Sequence, residues 1–136
     1  MMKQGVKNGA LILLLIFAAL LLTACNKSSV DMPSYKQISQ SEAKEMMAKD
    51  DGHIVVDVRR EDEYNAGHIP GAIRVTNEDI GDTMPEELPD LNQIILVYCR
   101  SGRRSKEASE KLAKIGYTNV YEFGGIIDWD GEVVKE

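Results

Sequence analysis

The stretch IILVYCRSGRRS, from Ile94 to Ser105, decides the fold. Four consecutive aliphatic residues, Ile94 to Val97, predict a strand covered on both faces, as in parallel sheets, and Tyr98 closes it. A polar loop containing Gly102 comes next, and then SKEASEKLAKI, in which Ala108, Leu112 and Ile115 recur at helical spacing. This order of strand, tight loop and helix puts Cys99 at the C-terminal edge of a strand and under the N-terminus of a helix, where open α/β sheets bind ligands. The unpaired N–H groups and positive dipole end of that helix favour an anion. Arg100, Arg103 and Arg104 add three permanent cations, and a thiol in such surroundings ionises below its free value of about 8.5. The expectation is a Cys99 thiolate at neutral pH. Because cations at a helix N-terminus oppose the dipole, the arginines read as an anion site rather than as a solvated helix start.

Two further segments share the pattern. DVRREDEYNAGHIPGAI, Asp57 to Ile73, lies upstream, and GGIIDW, Gly124 to Trp129, lies downstream. Together with CRSGRRS, and in this order over Tyr35 to Val134, they resemble the rhodanese-like sulfurtransferase family. The resemblance implies that Cys99 carries sulfur as a persulfide cradled by successive backbone N–H groups. It also implies that Arg100, Ser101, Gly102, Arg103, Arg104 and Ser105 hold the substrate, and that no cofactor is required. The implied partners are a small anionic sulfur donor such as thiosulfate and a thiol or other thiophilic acceptor. Cysteine phosphatases share the architecture with a longer His-Cys-five-residues-Arg loop; here Tyr98 stands in place of the His and Ser105 in place of the Arg, which disfavours a phosphatase or arsenate reductase. A non-enzymatic module that binds sulfur species or a protein is the alternative from another class. The intact cysteine and the arginine loop weigh against it.

Length and charge bound the remainder. The 136 residues suit one domain, and 22 carboxylates against 16 Lys and Arg leave no basic surface for nucleic acid beyond the Cys99 loop. The N-terminal segment is unlike the rest of the chain in composition. Lys3 and Lys7 precede an apolar run from Ala10 to Leu22, which fits a secretory leader and falls short of the about 20 residues that span a bilayer. Leu22-Thr-Ala-Cys resembles the bacterial lipobox, which implies cleavage before Cys25 and acylation of Cys25, with palmitate among the chains. The expected division is a lipoprotein signal peptide over 1–24, a lipidated Cys25 with a tether over 25–33, and the catalytic domain over 34–136. An uncleaved anchor is the alternative, and both readings place the domain on the outer face of a bacterial cell membrane. In a two-membrane host, Asn26 would resemble outer-membrane sorting. With Cys25 acylated, Cys99 is the lone free thiol, which excludes an intramolecular dithiol oxidoreductase. His53 and His68 stand apart, with no ligand spacing to Cys99 or to a carboxylate pair, so no metal site is expected.

Along the chain, Tyr35 to Ile38 reads as an edge strand. Ser39 and Glu42 form a capping box that opens a helix to Lys49, with Ala43, Met46 and Met47 as its buried stripe. His53 to Val58 reads as a central strand, Glu61 to Ala66 as a short helix, Ala72 to Val75 as the next strand, and Thr76 to Asp90 as short helical turns in loops. Asn119 to Phe123 reads as the last strand, with Trp129 over the core. Asp57 and Arg59, at the Cys99 edge of the sheet, are expected to form a structural ion pair that supports the loop region. For His68, which invites a general-base reading, the resemblance implies a structural place in its glycine- and proline-bounded turn. The expected fold is a three-layer α/β domain with a parallel sheet of about five strands and helices on both faces.

Overall fold

Five short segments become strands, β1 (Lys36–Gln37), β2 (Ile54–Asp57), β3 (Ile73–Arg74), β4 (Ile94–Cys99) and β5 (Asn119–Gly125). Three helices join them, α1 (Gln40–Met47), α2 (Glu61–Ala66) and α3 (Arg103–Ile115), with 3-10 turns at Asn77–Asp79 and Ile126–Asp128. The structure is a computed structural model that describes residue 32 and residues 34–136. The leader, Cys25 and nearly all of the tether lie outside the described residues.

All pairings in the sheet are parallel, in the order β1-β5-β4-β2-β3. β4 takes the centre because Ile95 to Cys99 are apolar on both faces and all are buried. Alternation splits it between two layers. Ile95, Val97 and Cys99 join Val56, Val58 and Val120 under Ala108 and Leu112 of α3. Leu96 and Tyr98 join Val55, Ile69, Ala72 and Phe123 on the opposite face, with Ala43 of α1. This is the expected three-layer arrangement.

Local chemistry sets the element ends. The Ser39 hydroxyl accepts from the Glu42 N–H at 3.2 Å, while the Glu42 carboxylate accepts from the Ser39 N–H at 2.8 Å, so α1 opens on a complete capping box. It stops at Met47, two residues before the expected end. α3 begins at Arg103 rather than Ser105, because Gly102 takes a left-handed φ of 103° that ends the loop early. The Thr76 to Asp90 segment packs more closely than its polar composition suggested. Asn77, Ile80 and Leu88 are buried, and the Tyr117 hydroxyl donates to the Leu88 carbonyl. Along α3, Glu107 and Lys111 form an ion pair at 3.2 Å, one turn apart.

β5 runs two residues past its expected end. A register shift between Val97 and Cys99 brings Cys99 opposite Gly125. There the Cys99 loop crosses so closely that a Cβ on Gly125 would lie 2.1 Å from the Arg100 carbonyl oxygen, and the Ile127 N–H donates to that oxygen at 3.2 Å. The glycine is required by this approach of backbone to backbone.

Candidate active site

Cys99 ends β4 with 1% of its surface exposed, and it is not in a disulfide. The chain then turns through Arg100, Ser101 and Gly102 directly into α3, so the first amides of the helix point back at the sulfur. The Gly102 N–H donates to Sγ at 3.0 Å, and Ser105 Oγ lies 3.5 Å from Sγ. Burial opposes ionisation of the thiol, yet its pKa is lowered. The Ser105 hydroxyl and the Ser105, Gly102 and Ser101 amides together outweigh the burial.

The arginines were expected to ring the sulfur, and here the structure corrects the sequence. Arg104 is committed to Glu63 of α2 by two parallel bonds of 2.7 and 2.8 Å, both side chains being largely buried. That pairing holds the Glu63 carboxyl down to about 2, Arg104 being the main cause, with the Arg60 N–H assisting. Arg103 points outward with 78% of its side chain exposed, 3.7 Å from Glu107. Arg100 is exposed, and among the described residues it has no ion pair. The three cations therefore form a rim, and main-chain amides with one hydroxyl hold the sulfur. They line an open cleft with Arg60, Glu63, Glu78 and Ser101.

Asp57 and Arg59 form the buried ion pair expected, at 2.6 Å. Strand alternation sends them to the face opposite Cys99, however, which the sequence position at the shared edge did not reveal. Arg59 donates to the Gly67 carbonyl at 2.7 Å, and the Tyr98 hydroxyl accepts from the Ile69 N–H at 3.1 Å. The pair braces the 67–71 turn rather than touching the Cys99 loop. In the same turn, buried His68 faces the Tyr64 carbonyl through Nδ1 at 3.0 Å and stacks on the Tyr64 ring. His53 sits at the rim against Asp51. Neither histidine reaches Cys99, and among the described residues no group of three or more His, Cys, Asp or Glu could hold a metal ion.

Two site residues were missed in the sequence, and both are carboxylates. Glu63 lies 41 residues from its partner Arg104. Glu122 of β5, 3% exposed, accepts from the Ser105 hydroxyl at 2.6 Å and from the Gly124 N–H at 2.9 Å. The one available signal was a charge between Tyr121 and Phe123, just before a glycine pair.

The chain is similar to known proteins in sequence and in fold. The rhodanese-like domain family matches residues 39–132. The thiosulfate sulfurtransferase PspE of Escherichia coli (strain K12) is 37% identical over 73 residues, which are 54% of this chain and 70% of that one. The thiosulfate sulfurtransferase GlpE of Pseudoalteromonas translucida is 33% identical over 98 residues, 71% of this chain and 90% of that one. Among solved structures, a rhodanese-like domain protein from Staphylococcus aureus has a TM-score of 0.65 at 28% identity, covering 74% of this chain and 98% of its own. A rhodanese with anions from E. coli has a TM-score of 0.55 at 34% identity, covering 62% and 99%. With a match that takes in β2 to β5, the Cys99 loop and the paired glycines beyond it, the chain belongs to the rhodanese-like domain family.

Proposed function

We propose that this protein is a membrane-anchored, extracytoplasmic sulfurtransferase that moves sulfane sulfur from an anionic donor such as thiosulfate to a thiophilic acceptor through a persulfide on Cys99. The observation that carries the proposal is the cradle at Cys99, where the Gly102 amide and the Ser105 hydroxyl converge on a buried sulfur whose pKa is lowered. Relatives named as thiosulfate sulfurtransferases support the choice of donor. The leader and the lipobox-like Cys25 support the anchor.

The thiolate attacks the outer sulfur of the donor. A new S–S bond forms, the donor S–S bond breaks, and its electron pair leaves with sulfite. The persulfide keeps the negative charge, and the loop amides that favoured the thiolate are placed to favour it too. The acceptor then attacks the outer sulfur, and the pair of the Cys99 S–S bond returns to Sγ. Arg100 and the outward Arg103 attract the donor's charge at the rim, against the repulsion of an acidic chain.

Sulfite release from thiosulfate, followed with an added thiol acceptor, tests the assignment. Wild-type protein is expected to release sulfite over many turnovers and Cys99→Ala none. Residual turnover in the variant would contradict the mechanism, and a single equivalent of sulfite, with the sulfur then retained on the wild type, would favour a non-enzymatic sulfur-binding module.

A further inference from the structure

The sulfur-transfer steps leave one buried ionisable group at the site without a task. Glu122 is 3% exposed, and the donors that reach its carboxylate are the Ser105 hydroxyl at 2.6 Å and the Gly124 N–H at 2.9 Å. Among the described residues no Lys, Arg or His pairs with it. A buried carboxylate without a cation is costly as an anion. Ser105 Oγ is at the same time 3.5 Å from Cys99 Sγ.

A serine hydroxyl has one hydrogen to give. Its other acceptors, the carbonyls of Gly102 at 3.0 Å and Gly124 at 3.4 Å, are farther away than Glu122. Ser105 therefore cannot donate to a Cys99 thiolate and an ionised Glu122 together. Two anions served by one hydroxyl in a dry layer repel each other, and the three groups are best satisfied with one proton to share. Two arrangements meet that condition. In one, the thiol donates to Ser105 and Ser105 donates to the carboxylate; in the other, protonated Glu122 donates to Ser105 and Ser105 donates to the thiolate.

We propose that Glu122 is a positioning residue of the nucleophile, exchanging a proton with Cys99 through Ser105 so that, with one proton between them, molecules holding thiolate beside protonated Glu122 and molecules holding thiol beside the carboxylate are both populated. The Cys99 S–H bond breaks as a Ser105 O–H bond forms. The original Ser105 O–H bond breaks as a Glu122 O–H bond forms. Net charge is unchanged and no other reactant is needed.

The surrounding charges sit on identifiable elements. α3 brings Arg104, bound to Glu63 of α2, and the outward Arg103; the loop brings Arg100; Glu78 lies across the cleft. On β1, Gln37 is the register partner of Glu122, beside Lys36. Gln40 of α1 donates to the Gly125 carbonyl at 2.9 Å. None of these stands between Glu122 and Ser105.

The inference rests on the proposed function only in taking Cys99 as the nucleophile, and alkylation tests it apart from turnover. The rate of Cys99 alkylation by iodoacetamide is measured against pH in the wild type, Glu122→Gln and Ser105→Ala, with each fold checked by circular dichroism. Thiolate governed by a shared proton appears in two steps in the wild type. It appears in one step in Glu122→Gln, which keeps the contact but not the proton, and in one step in Ser105→Ala, which breaks the chain. A single step in the wild type overturns the proposal, as does a second step that persists in folded Glu122→Gln. Sulfur loading from thiosulfate, read on the same wild-type sample, separates the two claims. Loading with a one-step profile sinks the relay and leaves the transferase, whereas a two-step profile without loading does the reverse.

Discussion

At the scale of single residues, the chemistry turns on what favours ionisation of a buried sulfur. Burial alone would raise the pKa of Cys99, and the Ser105 hydroxyl with three loop amides outweighs it and lowers that pKa. A thiol whose pKa is lowered on folding adds stability as pH rises through its folded value, and that contribution is absent at lower pH. Ser105→Ala removes the largest of the lowering contributions, so Cys99 alkylation in that variant is expected to begin at higher pH than in the wild type. An unchanged onset would mean that the amides suffice alone. The Glu63–Arg104 pair gives a second prediction. Glu63 is held down to about 2 from an ordinary 4.5, so its contribution is present above about pH 4.5 and is lost as pH falls through about 2. Glu63→Gln should therefore lower stability at neutral pH by about 1–2 kcal/mol, less than a fully buried pair would, with the deficit vanishing in strong acid. Chemical denaturation of both proteins at pH 7 and near pH 2 measures it.

At the scale of elements, β4, its loop and α3 were legible because their signals are local: an aliphatic run, a glycine and a helical stripe of Ala108, Leu112 and Ile115. The register of β5 was not. Its shift depends on the Arg100 carbonyl lying where a Gly125 Cβ would be, a contact between segments far apart in sequence. Adding that Cβ with Gly125→Ala should cost about 1–3 kcal/mol and displace the cradle, seen as a lower melting temperature together with lost sulfur loading. Asp57 and Arg59 carry a similar lesson. Their edge of the sheet could be read from the strand, but the face they occupy depends on the pairing of Asp57 with Tyr98. Asp57→Asn leaves a buried guanidinium uncompensated and should destabilise the fold by about 3 kcal/mol in thermal or denaturant unfolding. The missed carboxylates, Glu63 and Glu122, belong to the same class, since their partners lie 41 and 17 residues away and no periodicity joins them.

At the scale of the whole molecule, an acidic chain brings Arg60, Arg100, Arg103 and Arg104 together along one cleft. Charge was legible as a total, and its distribution was not. The sequence placed three arginines around the sulfur, whereas the folded chain neutralises one with Glu63 and turns another outward. The central claim is that Cys99, in its amide and hydroxyl cradle, carries the transferred sulfur. Intact-mass spectrometry of the protein after thiosulfate treatment tests it most directly. Wild-type protein should gain the mass of one sulfur atom, lose it on addition of a thiol, and show no gain in the Cys99→Ser variant. An unchanged wild-type mass, or an equal gain in the variant, would contradict the claim.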